Sequence, residues 1–249
     1  MRLAVKTGDW NPTPDEWQRA SSFLGACEPS EMERIMRLKI EEDRKRSLIG
    51  RLLLRYAGST YTGLAPSELH MIRTPQNRPI CSDIAGKADV NISHHGDWVV
   101  LASDEQRSIG VDVMKFEQPR RGVEAFFTSM RRQFTDDEWE QIGGSLERFY
   151  QFWALKESYI KAVGIGLGFN LQRASFRFVD STTAQVKIDG ELKNDWDFQV
   201  VQLDSVHCVA TALGPVIHKS DDQTSPPSTP EVIQFQSLSP ADLFLKLSL

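Results

Sequence analysis

The strongest constraint on this chain is an order of elements that occurs twice: helical patterns, then a run of short strand patterns. The first pass opens with a strand over residues 3–5. A helix follows from Thr13-Pro14-Asp15-Glu16, where Thr13 is a cap and Pro14 sits in the first turn. A longer helix is predicted over 31–56, because Leu48, Leu52 and Tyr56 recur every four residues with Ile49 and Leu53 beside them. Gly58 is expected to end it. Strands are expected at 68–72 and 80–81, and residues 98–102 with 109–114 read as a β-hairpin. The second pass sets a short helix over 136–142 and a long one over 146–163, ended by Gly164 and Gly166. Strands at 174–179, 184–188, 196–203 and 206–213 follow. This order predicts an α+β chain of two similar halves, residues 1–113 and 114–215. No residue-level repeat relates them. Residues 216–249 are expected to be a flexible Pro/Ser-rich linker and C-terminal tail, whose apolar ending is able to dock back.

Charge and cysteine usage exclude several classes. The 249 residues hold 29 Lys+Arg against 34 Asp+Glu, a net charge of −5, so no overall field draws the chain to nucleic acid. No window approaches the ~18 uninterrupted apolar residues of a membrane span. The start, Met1-Arg2-Leu3-Ala4-Val5-Lys6, is charged where a signal peptide is apolar. Three widely spaced cysteines, Cys27, Cys81 and Cys208, contain no C-x-x-C pair, which argues against a disulfide framework or structural zinc and for a reducing cytosol.

Four segments carry more functional groups than packing requires. In the strand 109–114, Ile109, Val111 and Val113 share one face and Gly110, Asp112 and Met114 the other. Asp112 reads plainly as a solvent-facing residue, or more sharply as a hard oxygen ligand on a rigid element, as Mg²⁺ requires. The helix around Phe149, Phe152, Trp153, Leu155 and Ile160 is apolar beyond one face, yet it carries Glu157 and Lys161 at i,i+4. They are either a surface ion pair or groups lining a cleft. Asn91-Ile92-Ser93-His94 reads as a polar turn before a strand, or as anion-recognising donors. Arg34, Arg73 and Arg78 lie in or beside loops and suit a polyphosphate. Taken together, the residues point to a Mg²⁺-dependent handler of a phosphorylated ligand.

These segments also resemble the 4′-phosphopantetheinyl transferase family. Ile109-Gly110-Val111-Asp112 is followed in order by Trp153-Ala154-Leu155-Lys156-Glu157-Ser158-Tyr159-Ile160-Lys161, with Asn91-Ile92-Ser93-His94 upstream. Glu33-Arg34-Ile35, Phe134-Thr135 with Glu138-Trp139-Glu140, and Gly164-Ile165-Gly166-Leu167-Gly168-Phe169 are similar to the animal cytosolic branch of that family. The resemblance covers most of residues 1–215.

It implies a monomer of two α+β halves with the active site at their interface. The implied reaction moves the 4′-phosphopantetheine arm of coenzyme A to a serine of an acyl carrier protein, releasing adenosine 3′,5′-bisphosphate. Coenzyme A is thus the co-substrate, and fatty acid synthase and aminoadipate reductase-type enzymes are the implied carriers. By the same resemblance Asp112 and Glu157 are Mg²⁺ ligands and Glu157 takes the serine proton. Lys161 contacts the phosphates and stabilises the leaving group. Arg34, the turn Arg73-Thr74-Pro75-Gln76-Asn77-Arg78, and Asn91, Ile92, Ser93 and His94 hold the nucleotide, and the segment Glu157-Ser158-Tyr159-Ile160-Lys161 completes the coenzyme site. Bacterial relatives place an acid two residues after the strand Asp; here Met114 stands there. A protein that binds coenzyme A or carrier without reacting, and a metal-free coenzyme A-dependent acyltransferase, are the competing readings.

Overall fold

The computed structural model describes residues 1–216 and 234–249. From the N-terminus the elements are β1 (Arg2–Lys6), α1 (Pro14–Cys27), α2 (Pro29–Met36), α3 (Glu41–Thr62), β2 (Met71–Arg73), β3 (Pro79–Cys81), β4 (Asp89–His95) and β5 (Trp98–Asp104). They continue as β6 (Arg107–Lys115), α4 (Val123–Met130), α5 (Asp136–Ile142), α6 (Leu146–Val163), β7 (Ala174–Phe178), β8 (Thr183–Ile188), β9 (Glu191–Leu192), β10 (Asp197–Asp204) and β11 (His207–Val216). The last two are β12 (Gln236–Leu238) and α7 (Pro240–Leu247). Two units result, both α+β: residues 1–106 with 235–249, and residues 107–234.

In the first unit the sheet runs β12-β1-β5-β4, and β2 with β3 forms a separate hairpin. Thr13 and Glu16 start α1 as a capping box, each side chain accepting from the other's backbone N–H at 3.2 and 2.7 Å. The helix expected over 31–56 is broken in two, with α2 ending at Met36 and Ile40 extended before α3. No Pro or Gly marks that break. The acidic triplet Glu41, Glu42 and Asp43 does favour a new N-terminus there, through the helix dipole. Gly58 does not end α3; Gly63 does, at φ 74°. Gly58 serves packing instead, since a Cβ there would lie 2.9 Å from Leu69 and 3.0 Å from the Cys81 sulfur. Leu48, Ile49, Leu52 and Leu53 of α3 are fully buried in a core with Leu3, Val5, Val99 and Leu101.

The tail belongs to that core. β12 pairs in parallel with β1, matching Leu3 to Gln236 and Val5 to Leu238, and Leu243, Phe244 and Leu247 of α7 are buried. Phe244 meets Trp10 edge-on at 5.8 Å. An apolar sequence of this length has nowhere else to bury its side chains, so the ending is structural rather than flexible. The polar stretch 217–233, expected to be the linker, lies outside the described residues.

In the second unit the six-stranded sheet runs β6-β11-β10-β8-β7, with β9 paired to β8. The expected hairpin between 98–102 and 109–114 does not form. β5 pairs with β1 and β4, while β6 pairs with β11 over Ile109↔Leu213 to Lys115↔His207. Alternation identifies a strand but not its partner, and here the partner of β6 is about a hundred residues away. The first unit therefore ends at Gln106 rather than at Val113. α6 packs on β6 and β11, and its helical pattern and Gly164 stop stand as expected. Phe149, Phe152, Leu155 and Ile160 enter a core with Phe176, Phe198 and Ala210.

Candidate functional site

Asp112, Glu157 and Lys161 converge in the second unit because of one glycine. Gly110 and Asp112 share a face of β6. A Cβ built on Gly110 would stand 1.9 Å from the Ser158 carbonyl oxygen and 2.6 Å from the Ala162 nitrogen. Only a residue without a side chain lets the backbone of α6 lie against the strand in this way. Two residues along, Asp112 meets the helix turn that carries Glu157 and Lys161. Lys161 Nζ donates to Asp112 Oδ1 at 2.6 Å, with Asp112 6% exposed. Lys161 thus closes on the strand aspartate rather than serving only as the i,i+4 partner of Glu157. Burial pushes the Glu157 carboxyl above its ordinary range, the Asp112 charge adds to that, and Lys161 opposes both.

The donor set suits a hard divalent cation: two carboxylates on rigid elements, one on a strand and one on the helix packed against it. Met114 contributes no hard ligand, and among the described residues no group of three or more His, Cys, Asp or Glu side chains is arranged to hold a metal ion. Such a pair leaves most coordination positions to water or phosphate oxygens, as Mg²⁺ prefers. The rest of the helix motif points elsewhere. Ser158 is buried and donates to Leu155 O at 2.8 Å. Tyr159 packs on Trp196 at 4.8 Å, and Ile160 lies in the core. These three side chains serve the packing of the helix in this structure.

The remaining candidates lie in the first unit. Glu31 of α2 takes Arg73 in a fork, accepting from Nε at 3.0 Å and Nη2 at 2.6 Å. Burial raises the Glu31 carboxyl, but hydrogen bonds from Arg73 and the charges of Arg51, Arg73 and Arg34 outweigh it and hold it low. Arg34, three residues further along α2, is exposed. Arg73 has its bidentate edge committed to Glu31, and its Nη1 donates to Asn77 O at 2.5 Å. The turn is held by Thr74, whose N–H donates to Arg78 O at 2.9 Å, and by Asn77 at φ 68°, a conformation Asn tolerates. Pro75 and Gln76 stand exposed at its tip. Arg78 reaches Asp89 Oδ1 at 2.8 Å and Val90 O at 2.5 Å, which ties the turn to the start of β4.

Asn91, Ile92, Ser93 and His94 form part of β4 and are not a turn. They pair with β5 from Asn91↔Ala102 to His94↔Val99, and the turn is the two residues Gly96 and Asp97. Asn91 and Ser93 are buried, Ile92 packs on the core and His94 is exposed. Polar composition was misleading because the strand's pairing on β5, not its own side chains, makes it a strand.

Sequence reasoning missed Glu31 and the fully buried pair Lys156–Glu138, whose Nζ and Oε1 are 2.9 Å apart. A signal existed for the second. Lys156 stands amid the apolar residues of α6, and Thr135-x-x-Glu138 reads as a capping box.

Comparisons with known proteins identify the family. Residues 8–106 match the family described as 4′-phosphopantetheinyl transferase, N-terminal, and residues 108–212 the 4′-phosphopantetheinyl transferase superfamily. A phosphopantetheinyl transferase from Thraustochytrium sp. is 38% identical over 90% of this chain and 81% of its own. The L-aminoadipate-semialdehyde dehydrogenase-phosphopantetheinyl transferase of Xenopus laevis is 36% identical over 88% and 77%. That of Homo sapiens is 35% identical over 86% and 74%. With both halves matched at this identity, the chain belongs to the 4′-phosphopantetheinyl transferase superfamily and is a transferase of that family.

Proposed function

We propose that this chain moves the 4′-phosphopantetheine arm of coenzyme A to a carrier-protein serine at a site built on Asp112, Glu157 and Lys161. The observation that supports it most is the contact of Lys161 Nζ with Asp112 Oδ1, on a helix turn that also carries Glu157. The serine Oγ attacks the β-phosphorus of coenzyme A. A phosphorus–oxygen bond forms to the serine, the bond from that phosphorus to the bridging oxygen breaks, and adenosine 3′,5′-bisphosphate leaves. Asp112 and Glu157 would hold a Mg²⁺, which when bound supplies charge compensation for the pyrophosphate.

The chain's own groups do the rest. Glu157 accepts the serine proton, from a carboxylate carried on the helix packed against the Asp112 strand. Lys161 places a cation where the leaving phosphate gains charge. Arg34, Arg73, Arg78 and His94 are the cationic and donor groups assigned to the nucleotide phosphates. Arg73 acts from a fixed position, because Glu31 grips its fork. Residence in the cytosol, a monomeric state and carriers of the fatty acid synthase and aminoadipate reductase type complete this reading. Three widely spaced cysteines without a C-x-x-C pair support the cytosolic part of it.

The test is to incubate the protein with coenzyme A, Mg²⁺ and an apo carrier protein and weigh the carrier. A phosphopantetheine-sized gain is expected, absent with EDTA. Glu157→Gln and Asp112→Asn should each lower the rate by ~10³-fold or more. An acetyl-sized gain or none, or near-wild-type turnover in Glu157→Gln, overturns the reading.

A further inference from the structure

We propose that Glu138 and Lys156 are positioning residues that set the rotation of α6 and so aim Glu157 and Lys161 at Asp112. Lys156 precedes Glu157 on the helix. Successive helical side chains diverge by about 100°, so fixing the direction of Lys156 fixes that of Glu157. Lys156 and Glu138 are both fully inaccessible. All three ammonium protons have acceptors, each in a different element. Nζ donates to Glu138 Oε1 of α5 at 2.9 Å, to Leu171 O in the 3₁₀ turn Leu171–Arg173 at 2.9 Å, and to Ala174 O of β7 at 2.5 Å.

Glu138 is equally engaged. Its Oε1 accepts from Phe176 N at 3.0 Å and its Oε2 from Thr135 N at 2.8 Å and Thr135 Oγ1 at 3.1 Å. The rings of Phe134 and Phe176 flank the ammonium at 5.4 and 5.9 Å.

The Coulombic attraction of a pair this deep adds little net stability. Well-packed apolar residues of the same volume generally serve as well or better, because desolvating two charges consumes the Coulombic gain. What apolar residues lack is direction. A Met and a Leu in this place fill the volume but tolerate rotation and sliding of α6. The ammonium satisfies its three acceptors at one azimuth only. Gly110 permits close approach on the opposite side but fixes no angle, so the ion pair supplies the missing constraint. The inference rests on the reading that Asp112 and Glu157 form the reacting site.

The test compares wild type, the double variant Glu138→Leu/Lys156→Met, and Glu157→Gln. Each is assayed about 15 °C below its own Tm. Affinity for Mn²⁺ is measured by electron paramagnetic resonance with coenzyme A present and no carrier. The double variant is expected to melt cooperatively at a lowered Tm, since the backbone groups that met Glu138 and Lys156 lose those partners, with kcat at least ~10-fold lower and Mn²⁺ binding at least ~5-fold weaker. A merely structural pair would move Tm and leave both other readings in place. Both must fall; any other pattern in a folded variant overturns the proposal. Should the double variant not melt cooperatively, Lys156→Met alone is read by the same rule. An inactive Glu157→Gln beside a fully active double variant overturns the positioning role alone. An active Glu157→Gln overturns the site reading beneath it.

Discussion

Gly110→Ala separates a propensity argument from a geometric one. By propensity the change should help, since Ala restricts the unfolded chain and Gly110 lies in an ordinary strand conformation that Ala adopts freely. That argument predicts a gain of about 0.4–1 kcal/mol. The packing predicts the reverse. The new methyl would lie 1.9 Å from the Ser158 carbonyl oxygen, and Cβ atoms do not approach such atoms within 3.0 Å. The obstacle is backbone, so no rotamer change relieves it. The helix must retreat by about 1.1 Å or the strand must bow, an overpacking cost of about 1–3 kcal/mol.

The functional effect is larger than the stability effect. Ser158 and Ala162 adjoin Glu157 and Lys161 in sequence, so the turn that moves is the turn that carries the reacting groups. A misplacement near 1 Å costs about 10²-fold in rate. The assay is carrier mass gain under saturating coenzyme A and Mg²⁺, with thermal melts on the same preparations. The expected result is a Tm lowered by several degrees and kcat reduced about 10²-fold, with far-ultraviolet circular dichroism unchanged. A Gly110→Ala protein with wild-type kcat and an equal or higher Tm would refute the claim that close approach of α6 to β6 builds the site.

Deleting residues 235–249 removes buried Leu238, Leu243, Phe244 and Leu247. At about 1.5–3 kcal/mol for each such side chain, the first unit should lose most of its stability, seen as an insoluble product or a melt lowered by more than 10 °C; an unshifted melt removes the tail from the core. Glu31→Gln should destabilise the protein at pH 7 by about 1–3 kcal/mol, because the guanidinium of Arg73 loses its charged acceptor. The Glu31 carboxyl is depressed in the folded state, so its contribution is complete above the ordinary value of about 4.3 and is lost as pH falls through the lower folded value. The gap in Tm between wild type and variant should therefore close on acidification. A gap that widens below pH 4 contradicts the sign.

What the amino-acid sequence determined by itself is local. Thr13 with Glu16, the four-residue recurrence in α3, the αL stop at Gly164 and the alternation of β6 all follow from spacings within a few residues, where sterics and capping act. The family resemblance also grouped Asp112 with Glu157 and Lys161, a grouping that the residues alone left open between a cleft and an ordinary solvated surface. The tertiary structure decided whatever depends on a distant partner. β6 is joined to β11 rather than to β5, Asn91 to His94 become strand through β5, and the ending becomes core through β1 and α3. Lys161 turns to Asp112, and Arg73 is gripped by Glu31. Each of these contacts costs loop closure and desolvation that nearby residues do not reveal, and each is compensated only when the whole unit has packed.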